Sequence, residues 1–105
     1  MDAPADPVLL RFRAALDGLY GPRLKRVVLF GSRARGNAHP NSDYDVAVFL
    51  DPINSLWTES DDLSRLELRI LDDTGALFHA IPLPPSAWEE RTPFMGELRR
   101  EGLDL

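Results

Sequence analysis

The sequence predicts an α/β (α+β) protein in which helices pack on one small mixed β-sheet. Three observations predict this class. The chain has 105 residues, the size of a single domain, and 44% of them are hydrophobic, which is enough to fill one modest core. Helix-spaced and strand-sized apolar segments alternate along the chain, and strands separated by helices form sheets covered by helices. The strands need not all be parallel.

The first predicted element is a helix over residues 7–20. Asp6 and Pro7 are typical of an N-cap followed by proline at the first helical position. Apolar residues then recur at helical spacing, and among them we expect Phe12 and Leu16 to lie in the core.

Two strands follow, joined by a glycine-containing turn. Residues 24–30 (LKRVVLF) are rich in β-branched and aromatic residues and end at a glycine, which predicts a strand. Residues 31–36 (GSRARG) predict a turn that leads into a short helix, and residues 37–42 (NAHPNS) predict a loop. Residues 43–50 (DYDVAVFL) predict the second strand.

The next predicted elements are a helix and a third strand. Ser60 precedes two acids and predicts an N-cap, and Gly75 predicts the end of the helix. Trp57 either begins this helix or covers it. Residues 76–83 (ALFHAIPL) predict a strand that ends at Pro82 or lies at a sheet edge, because proline cannot donate to a strand ladder.

A last helix closes the predicted fold. Residues 86–89 (SAWE) have the form of a capping box, and Thr92 precedes a proline at the start of an amphipathic segment that ends at Gly102. Four large apolar side chains in the second half are candidates for a docking surface, although the core is the favoured interpretation in so small a domain. They are Trp57, Trp88, Phe94 and Met95.

Composition excludes several classes of protein. The chain has no cysteine, so disulfides, thiolate metal sites and cysteine catalysis are excluded. Its net charge is −5, opposite to that of a typical binder of free DNA or RNA, so we expect no strong binding to free nucleic acid. Residues 1–6 lack the features of a signal peptide, and no apolar run approaches the roughly 18 residues of a membrane span. We therefore expect a cytoplasmic protein without membrane contact.

Charge is unevenly distributed along the sequence. Residues 18–42 contain five basic residues and no acid, whereas residues 43–73 contain nine acids and two arginines. Chance clustering on a solvated surface is one interpretation. The other is a basic loop that faces an acidic strand, as phosphate bound through a divalent cation requires.

The segment GSRARG has the chemistry of a phosphate-binding turn. Gly31 lets the backbone approach an anion closely, and the free amides of a helix start together with the Ser32 hydroxyl can hold phosphate oxygens. It is not a Walker loop, because the spacing and the lysine of that motif are missing. Taken alone, a plain turn explains the segment better.

Asp43 and Asp45 are the strongest candidates for metal binding. Their spacing on a strand places both carboxylates on one face, where they repel by roughly 2 kcal/mol at an effective dielectric constant of about 20. A cation between them removes this cost, and carboxylate oxygens suit Mg²⁺ or Mn²⁺. The alternative is that Asp43 is a turn residue where the strand enters from solvent.

Together these segments resemble a known family. The pattern G-S-x-A-x-G, followed after a short loop by S-D-x-D and an apolar strand, resembles the nucleotidyltransferase superfamily that includes DNA polymerase beta. The resemblance is best over residues 24–50, and the short chain is similar to the minimal nucleotidyltransferases. It implies the polymerase beta-like fold and a single minimal nucleotidyltransferase domain over residues 1–105.

The resemblance also implies an activity and a set of site residues. In this family a nucleoside monophosphate moves from a nucleoside triphosphate, here expected to be ATP, to an acceptor hydroxyl, and pyrophosphate is released. Asp43 and Asp45 would hold Mg²⁺ or Mn²⁺ between the phosphates in a two-metal site. Gly31 and Ser32 would contact the triphosphate. Arg33 and Arg35 either neutralise phosphate charge or are solvated arginines.

One position departs from the family pattern. Active members place a third carboxylate on a later strand that faces the aspartate pair, but the central polar residue of strand 76–83 is His79. Histidine binds metals and can act as a base near neutral pH, whereas Mg²⁺ prefers oxygen. His79 is therefore a catalytic candidate, a replacement that weakens transfer, or a half-exposed strand residue without a role. A shifted alignment with Asp72 or Asp73 in its place is a further alternative.

The resemblance implies a partner as well. The residues after Asp45 suffice to complete a core, so we expect another molecule to supply the acceptor. Minimal nucleotidyltransferases are often paired with a small helical protein of the HEPN type in toxin–antitoxin modules. The chain is then either an enzyme that modifies this partner or a catalytically weak or inactive nucleotide-binding antitoxin that neutralises it by binding alone. A homodimer is compatible with a domain of this size.

Overall fold

The structure, a computed structural model, describes residues 6–105. Residues 1–5, on which most of the signal-peptide prediction depends, lie outside this range. The elements in chain order are α1 (Pro7–Tyr20), β1 (Leu24–Phe30), α2 (Ser32–Arg35), β2 (Tyr44–Leu50), α3 (Leu56–Thr74), β3 (Phe78–Leu83), α4 (Pro93–Glu101) and β4 (Leu103–Asp104). Short 3₁₀ turns lie at Gly21–Arg23 and Pro85–Glu89.

The strands form one mixed sheet in the order β3-β2-β1-β4, which confirms the predicted fold class. β1 is antiparallel to both β2 and β4, whereas β2 and β3 are parallel and are joined through α3. Strand β4 was not predicted, because a two-residue strand is too short to show an alternating pattern.

Side-chain alternation divides the core between the two faces of the sheet. Helices α1 and α3 cover the first face, where Phe12 stacks on Phe78 with ring centroids 4.1 Å apart and Phe78 stacks on Tyr44 at 4.5 Å. Helix α4 and the preceding 3₁₀ turn cover the second face. The fully buried residues on that side are Val28, Ala47, Phe49, Ala87, Met95 and Leu98. Asp45 is in phase with Ala47 and Phe49, so it belongs to the second face.

Helix α1 has the predicted bounds. The Asp6 side chain accepts a hydrogen bond from the Val8 amide at 2.8 Å, which makes it the N-cap. Phe12 and Leu16 are completely buried, as predicted. Helix α1 therefore anchors the first face of the sheet through the residues that its spacing indicated.

The N-cap of helix α3 lies five residues before the predicted one. Ser55, and not Ser60, is the cap, and its hydroxyl accepts from the Thr58 amide. No helix breaker lies between these two serines, so the helix extends back to the earlier cap. Trp57 lies in the first turn with 88% of its surface exposed, so the core interpretation of Trp57 is wrong.

The last third of the chain confirms one predicted cap and corrects another. Thr92 caps α4 by accepting from the Met95 amide at 3.1 Å, as predicted. The predicted capping box at Ser86 is wrong, because this segment is a 3₁₀ turn without a side-chain cap. Met95 is buried, while Trp88 and Phe94 pack partly buried against the second core.

Strand β3 is an edge strand, as Pro82 indicated. The Ala80 amide donates to the Glu67 carboxylate of α3 at 2.7 Å instead of to another strand. Pro82 is two residues further along, so its missing donor also faces away from β2. Among the helices of residues 6–105, none is both long and apolar enough to cross a membrane.

Candidate active site

The turn after β1 brings the backbone against a carboxylate. Gly31 has a φ of +77° and precedes the four-residue helix α2. A Cβ atom added at Gly31 would lie 2.5 Å from Asp45 Oδ2, which is closer than any real Cβ contact. Glycine suits this position because it adopts a positive φ without strain and has no Cβ atom that would contact Asp45. The motif glycine thus belongs to the same site as the second aspartate.

Three chemistry-bearing side chains meet where β1 ends and where β2 and β3 begin. Asp45 is the cross-strand partner of Phe30 in β1 and of His79 in β3. Asp43 lies one residue before β2, not within the strand as predicted, because the ladder begins at Tyr44. Its Oδ2 lies 2.9 Å from His79 Nε2. The structure therefore brings Asp43, Asp45 and His79 together.

Asp45 carries an electrostatic cost at this position. Burial raises the pKa of its carboxyl, and the negative charge of Asp43 raises it further, whereas His79 and Arg35 lower it. The raised pKa shows that the folded chain disfavours the charged form of Asp45. A bound cation would reverse this balance.

His79 occupies the position that faces the aspartate pair. An ionised carboxylate can only accept, so Nε2 must carry the proton that it donates to Asp43. With a proton on Nε2 only, Nδ1 is an acceptor, and 60% of the side chain is exposed. Asp72 and Asp73 lie on α3 over the opposite face, and Asp73 pairs with Arg11, so the shifted alignment is wrong.

The two arginines of the turn have protein partners, so neither is simply solvated. Arg33 donates to the Ser42 carbonyl through Nε and Nη2 at 3.0 and 2.8 Å. Arg35 pairs with Glu97 at 3.3 Å and lies 3.6 Å from the Glu101 carboxylate, which fastens α2 to α4. Phosphate contacts by Ser32, Arg33 and Arg35 stay predictions.

Sequence reasoning missed Glu67. Its carboxylate accepts from the Ala80 amide, next to His79 along β3. Burial raises the pKa of Glu67, while the Ala80 bond and His79 lower it. A signal was available, because Glu67 continues the buried stripe of Leu63, Leu66 and Ile70 on α3. A carboxylate at such a position needs a partner.

A cleft opens beside Asp43 with a volume of about 390 Å³. It lies between the loop before β2, the side chain of Arg33 and the segment Thr74–Leu77 that enters β3. This volume falls within the range of small-molecule sites. Asp43 thus borders a space that can admit part of a substrate.

The donor set fits a hard cation that is shared with a substrate. Across residues 6–105, no three His, Asp or Glu side chains are arranged to hold a metal ion by themselves. Mg²⁺ commonly takes one or two carboxylates and completes its shell with phosphate oxygens and water. Asp43 and Asp45 can supply that share, and the backbone of Gly31 lies directly beside the Asp45 carboxylate.

The family of the chain follows from a direct comparison. Residues 9–93 match the family model of the nucleotidyltransferase domain, which is most of the chain. The protein therefore belongs to the nucleotidyltransferase domain family, and the resemblance found in its motifs is confirmed. The aspartate pair and the Gly31 turn lie within the matched region.

Individual relatives agree with this assignment. The protein adenylyltransferase MntA of Aphanizomenon flos-aquae (strain 2012/KM1/D3) is 63% identical over 30 residues, which are 29% of this chain and 20% of that protein. The match thus spans about a fifth of the relative. A solved minimal nucleotidyltransferase is similar with a TM-score of 0.61 and 27% identity, over 100% of this chain and 97% of that one.

Two toxin–antitoxin structures share the fold. One, a toxin–antitoxin with AMP-PNP, gives a TM-score of 0.61 at 20% identity and covers 90% of this chain and 69% of that one. The other is a tri-AMPylated HEPN toxin of Shewanella oneidensis in complex with an MNT antitoxin. It gives a TM-score of 0.56 at 15% identity, over 92% and 70% of the two chains.

Gly31→Ala tests the contact between turn and carboxylate. We expect about 1–3 kcal/mol of destabilisation from the positive φ, and at least a tenfold loss of Mn²⁺–AMP-PNP affinity, because the new methyl group displaces Asp45. Gly21→Ala is the control, since Gly21 also has a positive φ but nothing lies within 4 Å of its Cβ position. Urea unfolding and titration calorimetry measure the two effects. Unchanged affinity in Gly31→Ala would contradict the account.

Asp45→Asn tests the charge cost through its pH dependence. Folding raises the pKa of the Asp45 carboxyl, so the protonated carboxyl favours the folded state at pH values below its ordinary pKa of 3.8. This contribution to stability is lost as the pH rises through the folded-state pKa. In EDTA, Asp45→Asn should thus be more stable than wild type at pH 7, by less than about 1 kcal/mol after solvent screening. The gain should disappear near pH 3. Asp51→Asn, an exposed carboxylate in the loop after β2, should show no such gain, and a destabilised Asp45→Asn at pH 7 would refute the charge cost.

Proposed function

We propose that this chain is a divalent-cation-dependent nucleotidyltransferase that transfers AMP from ATP to a hydroxyl of a protein partner. The observation that carries the proposal is the pair Asp43 and Asp45, gathered beside the Gly31 turn and opposite His79. Two clustered carboxylates, one of them partly buried, have a chemical use where a cation and phosphates bind. In this proposal residues 1–105 act as one minimal nucleotidyltransferase domain in the cytoplasm.

Each site residue has a proposed task. The Gly31 turn and the Ser32 hydroxyl receive the triphosphate, and Asp43 and Asp45 hold Mg²⁺ or Mn²⁺. The bound cation supplies Lewis-acid polarisation of the phosphates and stabilises the leaving oxygen. Arg35 adds positive charge near Asp45 and lowers the pKa of that carboxyl.

The transfer step needs a proton acceptor. The acceptor oxygen bonds to the α-phosphorus, the bond from that phosphorus to the bridging oxygen breaks, and pyrophosphate leaves with the electron pair. The hydroxyl proton must move to a base. His79 is suited to this role, because Asp43 accepts from Nε2 and orients the ring while Nδ1 stays free to accept.

The relatives support a proposal about the partner. The curated relative is named a protein adenylyltransferase, and two structural neighbours are complexes of a toxin and an antitoxin. We therefore propose that the partner is a small helical HEPN-type protein and that this chain is the antitoxin of the pair. Trp57, with most of its surface exposed, is a candidate contact for that partner.

His79 also supports a second candidate function. A histidine stands where the resemblance predicts a third carboxylate, and residues 6–105 hold no complete three-ligand metal cluster. A nucleotide-binding antitoxin that neutralises its partner by binding alone would tolerate both features. The two functions differ in one measurable property, which is covalent transfer.

A transfer assay decides between them. With labelled ATP, Mg²⁺ or Mn²⁺ and whichever small helical protein is encoded beside this chain, we expect label on the partner. Asp43→Ala/Asp45→Ala should reduce it at least about 100-fold, since even residues that only support metal ligands cost 10–100-fold. Gel autoradiography and intact-mass measurement report the product.

Asp17→Ala/Asp72→Ala is the matched control, because it removes two exposed carboxylates outside the site and should transfer normally. Absence of label, together with retained ATP binding and a stable complex, would reject the enzyme in favour of the second function. In that case His79→Asp should create transfer, because it restores the third carboxylate that the family resemblance implies.

A further inference from the structure

We propose that Arg33 is a positioning residue that fixes Asp43 through the Ser42 carbonyl. This inference rests on the proposed function, in which Asp43 holds a cation. It differs from the sequence prediction, in which Arg33 contacts phosphate directly. The contacts of the guanidinium group carry the inference.

The guanidinium binds the loop immediately before the aspartate. Nε and Nη2 converge on the Ser42 carbonyl oxygen at 3.0 and 2.8 Å, and Nη2 also lies 3.2 Å from the Pro40 carbonyl oxygen. The central carbon of the guanidinium group, Cζ, lies 3.9 Å from the centroid of the Tyr44 ring. Arg33 therefore contacts residues on both sides of Asp43 along the chain.

The Tyr44 side of this arrangement is rigid. The Tyr44 ring is buried and stacks on Phe78, and its hydroxyl donates to Asp6 Oδ2 at 2.8 Å. Asp6 in turn caps helix α1. The arginine thus connects the loop to a ring that is already fixed by the first core, and a planar group on an aromatic face has little freedom.

The loop itself has few bonds of its own. His39 and Ser42 close a turn, with the Ser42 amide donating to the His39 carbonyl at 3.0 Å and the His39 amide donating to Ser42 Oγ at 2.8 Å. These bonds set the shape of the turn but do not attach it to the sheet. Arg33 supplies that attachment at the peptide that joins Ser42 to Asp43. Asp43 is thus held at two points, its carboxylate by His79 Nε2 at 2.9 Å and the peptide that precedes it by Arg33.

Geometry also separates this role from a charge effect. Lysine keeps the positive charge but has no planar fork that can place two donors on one carbonyl oxygen while stacking on a ring. If Arg33 positions Asp43, Arg33→Lys must behave like Arg33→Ala. If Arg33 serves as a positive charge for phosphate, Arg33→Lys must behave like wild type.

The test compares Arg33→Lys and Arg33→Ala with Arg65→Lys. Arg65 forms an exposed pair with Asp61 and is a matched control outside the site. Hydrogen exchange of the Ser42 and Tyr44 amides, which donate to the His39 and Leu77 carbonyls, measures the loop in the free protein. Mn²⁺ titration followed by electron paramagnetic resonance, with AMP-PNP present, measures the site. We expect both Arg33 variants to exchange at least about tenfold faster and to bind Mn²⁺ about 10–100-fold more weakly. Arg65→Lys should match wild type in both.

Wild-type exchange and wild-type Mn²⁺ affinity in Arg33→Lys would overturn the positioning role. If Arg33→Ala does not fold, as judged by circular dichroism, Arg33→Lys alone decides. The exchange measurement needs neither metal nor nucleotide. If wild type binds no Mn²⁺, the proposed function fails. Faster exchange in Arg33→Lys would still support the attachment of the loop by Arg33, and unchanged exchange would still reject that attachment.

Discussion

The contact between Gly31 and the Asp45 carboxylate is the constraint on which the site depends. At Gly31 a positive φ coincides with so close an approach to Asp45 that any side chain there would be strained and would displace the carboxylate. The same approach partly buries a carboxylate beside a second one and raises its pKa. This unfavourable charge lies where the Gly31 turn and the two aspartates meet. Such a local cost is typical of functional sites.

The two faces of the sheet have separate tasks. The first face, under α1 and α3, carries the aromatic stack that holds the start of β2. The second face carries the acidic site, and α4 covers the rest of it. Arg35 links α2 to α4, and Arg33 links α2 to the loop before Asp43. The four-residue helix α2 therefore acts as the junction between the site and its supports.

Much of this could be predicted from the sequence, and the failures have physical reasons. Helix α1 and strand β1 follow from clear periodicity and strong caps, and the motif spacing indicates the aspartates and the glycine turn. The start of α3 was missed because two serines could cap it, and the segment between them contains no helix breaker, so the helix extends back to Ser55. The Glu67 bond to the edge strand and the partners of Arg33 join segments distant in sequence, which periodicity cannot show.

The central claim is that Asp43 and Asp45 form half of a cation site and that a nucleotide completes it. The most direct test is the Mn²⁺ dissociation constant, measured by electron paramagnetic resonance with and without AMP-PNP. The account predicts weak binding to the protein alone and at least about tenfold tighter binding when the nucleotide is present, because the phosphates add the missing oxygen ligands. Equal affinity in both conditions, or binding that survives Asp43→Ala/Asp45→Ala, would contradict it.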